Sequence, residues 1–201
     1  MTVKFMAESL NKKKALLRQR VRTELARVLP SQRATVSVQA RLLLKRQPVW
    51  NVAETILFFA PLPDELDVWP LLEKFLAAGK ICALPFFDSV TQNYSARRVQ
   101  NLAADIATGK FGVREPASSC PEIPLARFDL ILVPGLAFDL HGRRLGRGRG
   151  FYDRLLAAAR GTKCGVAFDE QIVSEVPAGP QDVRVNCLLT PTRWLEAKVA
   201  V

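Results

Sequence analysis

The chain has 201 residues, of which 49% are hydrophobic, 24% charged and 8% aromatic. This composition excludes a disordered chain, a collagen-like repeat and a disulfide scaffold, and no apolar run is long enough for a membrane span. A chain of this length buries roughly 70% of its unfolded surface, so we expect one domain over residues 1–201 that needs no structural metal or disulfide. The four cysteines are widely spaced and the opening residues lack the apolar run of a secretory signal, which predicts a reduced, cytoplasmic protein.

The net charge of +10 is concentrated in one part of the chain. Residues 1–50 contain 12 Lys+Arg and 2 Asp+Glu, a difference of +10, whereas residues 51–201 contain 17 of each. A solvated basic helical face accounts for such a segment. Three classes of ligand account for it equally well: nucleic acid, an acidic membrane surface and a small polyanion.

The basic segment has a helical pattern, and the helical portion is expected to span about residues 8–47. Between residues 10 and 29, apolar side chains recur at helical spacing while lysine and arginine occupy the other face: Leu10, Leu17, Val21, Leu25, Val28. Pro30 is expected to break this helix. A second helix then runs to about Gln47, before Pro48.

Short apolar segments alternate with helices through the rest of the chain. Strands are predicted over residues 55–60, 80–85, 94–99, 129–135, 163–168 and 186–191. A helix over residues 68–79, which Asp67 can cap, separates the first two strands, and a helix over residues 151–160 precedes the fifth. This alternation predicts an α/β fold with a largely parallel sheet covered by helices on both faces.

The most specific segment is the glycine-rich loop within residues 132–156, LVPGLAFDLHGRRLGRGRGFYDRLL. It leaves a predicted strand and enters a predicted helix, the place where open α/β sheets bind ligands. Its glycines allow close backbone approach, and its arginines favour an anion: Gly142, Gly146, Gly148, Gly150, Arg143, Arg144, Arg147, Arg149, Arg154. The loop lacks the Walker A and dinucleotide-binding spacings. A phosphate site is favoured, and a flexible Arg/Gly segment that coats RNA is the alternative.

Two aspartates near this loop have more than one possible role. Asp153 lies in the first turn of the following helix, where it either stabilises the helix N-terminus or, beside a phosphate, holds Mg²⁺. We expect Asp139 to cap the turn before the glycines rather than bind a metal, and His141 to have no direct role.

The loop resembles the signature of the 5-formyltetrahydrofolate cyclo-ligase family, the 5,10-methenyltetrahydrofolate synthetases. The family pattern is P-G-x-x-F-D followed by G-x-R-L-G-x-G-x-G-[YF]-Y-D, and residues 134–153 match it. Further matches follow in family order over nearly the whole chain: Lys14 with Leu17-Arg18, Asp64-Glu65, Phe111 to Pro116, Gln171, Val176-Pro177, Asp182, Thr190.

The resemblance implies an ATP- and Mg²⁺-dependent enzyme that converts 5-formyltetrahydrofolate to 5,10-methenyltetrahydrofolate, ADP and phosphate. In this chemistry ATP phosphorylates the formyl oxygen, N10 attacks the activated carbon, and phosphate leaves as the ring closes. The family fold is a single α/β domain with a mostly parallel central sheet, similar to the ribose-5-phosphate isomerase and CoA-transferase-like group. We also expect a monomer that acts on a small-molecule folate, with or without additional glutamates, and that has no membrane partner.

The resemblance also implies roles for individual residues. The ATP contacts fall on the first helix and the glycine-rich loop: Lys14, Arg18, Arg144, Leu145, Gly146, Arg147, Gly148, Arg149, Gly150, Phe151, Tyr152. The folate contacts fall on Ala60, Glu65, Arg147, Gly148, Arg149, Gly150 and Phe151, and the Mg²⁺ ligands on Asp153 and Asp182. Arg144, Arg149 and Asp153 are the expected catalytic residues.

Two other functions remain open on the sequence. One is another ATP-dependent small-molecule ligase or kinase on the same scaffold. The other is an RNA-binding protein that uses the Arg/Gly loop and the basic first helix.

Overall fold

The computed structural model describes residues 2–109, 112–148 and 150–198. Its helices are α1 Thr2–Leu25, α2 Pro30–Lys45, α3 Pro48–Val52, α4 Trp69–Ala77, α5 Leu102–Asp105 and α6 Phe151–Ala158. Its strands are β1 Thr55–Leu57, β2 Ile81–Asp88, β3 Asn93–Val99, β4 Ile106–Thr108, β5 Arg114–Pro116, β6 Leu130–Pro134, β7 Ala137–Phe138, β8 Arg144–Leu145, β9 Thr162–Val166, β10 Cys187–Leu189 and β11 Trp194–Glu196.

Seven strands form the main sheet, in the order β11-β10-β9-β6-β1-β2-β3. The five inner strands are parallel to one another, and the two edge strands β3 and β11 pair antiparallel to β2 and β10. The prediction of an α/β fold with a mostly parallel central sheet is therefore confirmed. Strands β6 and β10 are short and continuously apolar, as expected of strands buried on both faces.

Helices cover both faces of the sheet because successive strand residues point in opposite directions. Ile56 and Leu132 pack in the cluster that holds the apolar sides of α1, α2 and α4. Leu57 and Ile131, one residue away in the same strands, pack with Leu155 of α6 on the other face.

The N-terminal helices differ from the prediction at their ends. The first helix begins at Thr2 and ends at Leu25, four residues before the predicted end. Pro30 does not simply break the helix, because it is the first residue of α2, where its missing N–H costs no hydrogen bond. Pro48 begins α3 in the same way. Asp67 lies one residue before the N-cap of α4 and accepts the backbone N–H of Trp69.

The order of connections determines where the sheet opens. The chain leaves β1 through α4 to reach β2 on one side, and it leaves β6 through α6 to reach β9 on the other. Since β1 and β6 are neighbours, the two connections diverge at their carboxyl ends. Such a point of divergence is where open α/β sheets bind ligands. In the described part of the chain, no helix has both the length and the apolar character needed to cross a membrane.

Candidate active site

A pocket of about 410 Å³ lies at the carboxyl ends of β1 and β6. Phe59 and Ala60, which follow β1, and Pro134 and Gly135, at the end of β6, form part of its lining. The glycine-rich loop and the start of α6 form a second part. The divergence point of the sheet and the loop predicted to bind phosphate therefore meet in one cavity.

The glycine-rich loop runs from β8 to α6 with a backbone that requires glycine. Gly148 has φ +115°, and Gly150, the N-cap of α6, has φ +65°. Residues other than glycine rarely adopt these φ angles. The first turn of α6 carries backbone N–H groups with no helical acceptor, so the loop and helix together provide donors for an anion.

Arg144 forms the cationic floor of the pocket. Its Nη2 donates to Oδ1 of Asp153 at 2.7 Å, and the exposed fractions of the two side chains are 4% and 21%. Its Nη1 donates to the Pro134 carbonyl at 3.4 Å. Nε is buried without a hydrogen-bond acceptor among the residues that the structure describes. One nitrogen thus anchors the guanidinium to α6, while one buried donor has no partner within the described part of the chain.

Glu65 and Arg147 join the loop after β1 to the glycine-rich loop. Arg147 Nη2 lies 2.7 Å from Asp64 Oδ1 and 3.0 Å from Glu65 Oε1. The second oxygen of Glu65 accepts the N–H of Leu62 at 3.0 Å. The Glu65 side chain is only 9% exposed, and this burial raises its pKa despite the neighbouring guanidinium.

Helix α1 contacts both the glycine-rich loop and the C-terminal part of the chain. Lys14 Nζ lies 2.8 and 2.6 Å from the two carboxylate oxygens of Asp182, and Gly179 N–H also donates to Asp182. One turn further along α1, Arg18 Nε donates to the Gly146 carbonyl at 2.9 Å. Burial and the charge of Arg22 lower the pKa of Arg18. The i, i+4 spacing puts these two cations on one face of α1. Arg18 contacts the loop, and Lys14 contacts Asp182.

Buried polar side chains hold the turns that support the pocket. Gln171 Nε2 donates to the carbonyls of Gly135 and Leu136 at 2.8 and 3.0 Å, which fixes the turn after β6. Asp139 is fully buried and accepts the N–H groups of His141, Arg143 and Val176. The prediction that Asp139 caps the turn is confirmed.

Sequence reasoning missed one wall of the pocket. Pro85 of β2, Tyr94 of β3 and the β5 segment with Val113, Arg114 and Glu115 line it. Glu115 accepts a backbone hydrogen bond from Phe87, and burial raises its pKa. The match of Phe111 to Pro116 to the family pattern could have pointed to this wall, but the pattern alone assigns no role to these residues.

The predicted site residues converge only in part on the pocket. Those in its lining are Ala60, Glu65, Arg144, Gly146, Arg147, Gly150, Tyr152 and Asp153. Outside this lining, Arg18 contacts the loop at Gly146 and Gly148, while Lys14 and Asp182 contact each other. Leu145 is 1% exposed in the core, so its side chain contacts protein rather than a ligand. Arg149 lies outside the described residues, as does the side chain of Phe151.

Burial also perturbs an aromatic side chain of the pocket. The Tyr152 ring lies 5.7 Å from the guanidinium carbon of Arg144 and 6.2 Å from the Tyr94 ring. Burial raises the pKa of the Tyr152 phenol, so this group stays neutral at ordinary pH and provides an aromatic face.

Three arginines of the loop form ion pairs with the rest of the fold. Arg143 pairs with Glu175, Arg144 with Asp153, and Arg147 with Asp64 and Glu65. These ion pairs give no support to a flexible Arg/Gly segment that coats RNA.

Comparison with known proteins gives the family. Residues 10–191 match the model of the 5-formyltetrahydrofolate cyclo-ligase family. The chain belongs to this family. The 5-formyltetrahydrofolate cyclo-ligase of Escherichia coli K12 is 31% identical over 189 residues, which cover 90% of this chain and all of that protein. The enzyme of the same name from Mycolicibacterium smegmatis is 36% identical over 152 residues, which cover 71% of this chain and 76% of that protein.

A solved structure extends the likeness to the fold. The NMR structure of Aquifex aeolicus 5,10-methenyltetrahydrofolate synthetase superposes with a TM-score of 0.83 at 31% identity, covering 94% of each chain. The predictions that the chain is a cyclo-ligase family enzyme and has this α/β fold are confirmed.

Proposed function

We propose that this protein catalyses the ATP- and Mg²⁺-dependent cyclisation of 5-formyltetrahydrofolate to 5,10-methenyltetrahydrofolate, with release of ADP and phosphate. One observation carries the proposal. A single pocket is lined both by the phosphate-type glycine-rich loop, with Arg144 and Asp153, and by the loop after β1, with Ala60 and Glu65. A transfer of phosphate to a folate needs the two reactants side by side in this manner.

Ala60 and Glu65 are proposed to receive the pterin. The two oxygens of the Glu65 carboxylate can accept the two parallel N–H donors of an amino-pyrimidine edge. Glu65 is already buried, so a pterin that replaces its contact with Arg147 needs little further desolvation of the carboxylate. Arg147, Gly148, Arg149, Gly150 and Phe151 are proposed to complete the folate contacts.

The triphosphate of ATP is proposed to lie between α1 and the glycine-rich loop. Lys14 and Arg18 approach from the helix, while the backbone of residues 144–152 approaches from the loop. Lys14 is paired with Asp182, so a phosphate oxygen would compete with that carboxylate for the ammonium group. Arg144 is proposed to neutralise the charge that develops on the transferred phosphoryl group, with Arg149.

The residues present fit a magnesium ion. The described residues contain no cluster of three or more His, Cys, Asp or Glu side chains suited to a metal, but Mg²⁺ needs only one or two carboxylates because water and phosphate oxygens supply its other ligands. Asp153 lines the pocket, and among the described residues its one side-chain hydrogen bond is from Arg144 to Oδ1. Asp182 would share an oxygen now held by Lys14. When bound, the ion would neutralise phosphate charge and orient the triphosphate.

The chemistry requires the formyl oxygen to become a leaving group. The amide-like formyl oxygen attacks the γ-phosphorus, and the bond from that phosphorus to ADP breaks. N10 then bonds to the activated formyl carbon, the carbon–oxygen bond breaks, and phosphate leaves with the former formyl oxygen as N10 loses its proton. The protein mainly holds the two reactants in line and excludes water. We propose that one chain acts alone on this small-molecule substrate.

The test follows methenyl product by its ultraviolet absorbance and free phosphate in the same reaction. The protein is incubated with 5-formyltetrahydrofolate and Mg²⁺, with and without ATP. We expect product only with ATP, in equal amount to the phosphate released. A protein that binds ATP but forms no product contradicts the proposal and favours a different ligase or kinase substrate. Absence of ATP binding contradicts it as well and makes RNA binding the next measurement.

A further inference from the structure

Arg114 presents a cation on the wall of the pocket formed by β2, β3 and β5. It is the first residue of β5 and lines the pocket. Its guanidinium carbon lies 3.6 Å from the centre of the Trp69 ring, a separation typical of stacked planes. Trp69 is the first residue of α4 and packs against the core, so the platform beneath the guanidinium is fixed.

The other cations of the pocket lining are already paired. Arg144 contacts Asp153, and Arg147 contacts Asp64 and Glu65. The Arg114 side chain is exposed. Among the described residues of the chain, it has no carboxylate within ion-pair distance. Stacking holds a guanidinium by its face, which leaves the N–H donors of its edge able to bind a carboxylate in bidentate fashion.

The adjacent glutamate does not neutralise Arg114. Successive residues of a strand point in opposite directions, which separates the side chains of Arg114 and Glu115. The Glu115 carboxylate is held elsewhere, because it accepts the Phe87 N–H and lies against the backbone of Gly109. Arg114 is therefore a positioned cation that the described protein leaves without an anionic partner.

The proposed substrate has a matching anion, and this step rests on the proposed function. Its reacting atoms, the formyl group and N10, have to lie at the glycine-rich loop. The p-aminobenzoyl group leaves N10 and ends in a glutamate, whose carboxylates are ionised at neutral pH. The glutamate must therefore lie some distance from the loop, towards another part of the pocket wall.

We infer that Arg114, stacked on Trp69, binds a carboxylate of the glutamate tail of the reduced folate and sets the preference of the enzyme for glutamylated substrates. It contacts the substrate far from the reacting atoms, so it should act on KM rather than on kcat. A charge-assisted bidentate contact at an exposed site corresponds to roughly a tenfold change in KM.

The experiment compares three substrates that share the reacting centre: 5-formyltetrahydropteroate, which lacks glutamate, the monoglutamate and the triglutamate. The wild-type protein should have a lower KM for both glutamylated substrates. Arg114→Gln should raise these KM values about tenfold and leave kcat and the KM of the pteroate within about twofold. Arg114→Lys, which keeps the charge but loses the planar edge, should lie between them.

A matched control and three outcomes decide the inference. Arg160→Gln removes an exposed arginine outside the pocket lining, and it should leave all three substrates unchanged. Equal KM values of the wild-type protein for pteroate and monoglutamate overturn the inference, as does an equal loss on all substrates in Arg114→Gln. If the wild-type protein cyclises none of the three, the proposed function itself fails, which the other outcomes do not imply.

Discussion

Arg144 and Asp153 join the strand before the glycine-rich loop to the helix after it, with Nη2 of the arginine 2.7 Å from Oδ1 of the aspartate. Both ends of the loop are thereby fixed across the pocket floor. The arginine is nearly fully buried, and among the described residues Asp153 is the one carboxylate that forms an ion pair with it. The same pair therefore contributes to the stability of the fold and to the charge of the site.

Removing the carboxylate should damage both properties. Asp153→Asn leaves a buried, unpaired guanidinium, and we expect the free energy of unfolding to fall by about 3 kcal/mol and turnover to fall about 100-fold or more. Urea unfolding and the product assay measure the two effects. The double variant Arg144→Met with Asp153→Asn removes the unpaired charge, so it should recover part of the stability and none of the turnover. Full stability in Asp153→Asn alone would show that the pair is not needed for folding.

The contact between Lys14 and Asp182 should govern ATP binding. Lys14→Met removes a partly buried ammonium that pairs with Asp182. We expect the affinity for ATP with Mg²⁺ to fall about tenfold, measured by calorimetry. Lys13→Met is the matched control, because Lys13 is the exposed neighbour on the same helix. Similar ATP affinities in the two variants would argue that Lys14 has only a structural role.

The ionised, buried carboxylate of Glu65 should lower the free energy of unfolding at neutral pH. Its pKa is raised by burial, so the folded protein binds this proton more tightly than the unfolded chain does. Proton binding to Glu65 therefore stabilises the folded protein fully at a pH below the pKa of this group in the unfolded chain. This stabilisation is lost as the pH rises through the higher pKa of the group in the folded protein. Glu65→Gln should therefore have a higher free energy of unfolding than the wild type at about pH 7, and this gain should vanish at about pH 4.

The control for Glu65 removes the other carboxylate bound to Arg147. Asp64 is more exposed, so Asp64→Asn should show no comparable gain at about pH 7. Thermal unfolding of both variants over this pH range is the measurement. A gain in Glu65→Gln that does not change with pH would contradict the role of ionisation. We also expect Glu65→Gln to lose folate affinity.

Two glycines with positive φ should respond differently to alanine. At Gly150 an added Cβ meets no atom within 4 Å, so Gly150→Ala costs only the backbone strain of about 1 kcal/mol. At Gly142 the added Cβ would lie 2.3 Å from the Val185 carbonyl oxygen, so Gly142→Ala should destabilise the protein by more than about 3 kcal/mol. Urea unfolding distinguishes them, and similar losses would contradict the steric argument.

The parts of the fold that could be predicted are those with local patterns. The buried strands β6 and β10 appear as short apolar runs, and the glycine-rich loop is recognisable from its composition. The role of Pro30 could not be predicted, because a proline both disfavours a helix that reaches it and suits the first position of a new one, and here it begins α2. Hairpin β4–β5 has no local signal, since three-residue strands with mixed polarity depend on tertiary pairing. The wall of the pocket that this hairpin helps to form, which includes Arg114, could not be predicted for the same reason.

The ion pair between Lys14 and Asp182 joins positions 168 residues apart in the chain. Protein synthesis proceeds from the N-terminus at about 5–20 residues per second, so roughly 8–34 s pass between the addition of these two residues. During this time the basic face of α1 is made while its carboxylate partner does not yet exist. If the proposed ATP site needs this pair, a nascent chain should acquire ATP affinity only after five of the seven strands of the main sheet have been synthesised.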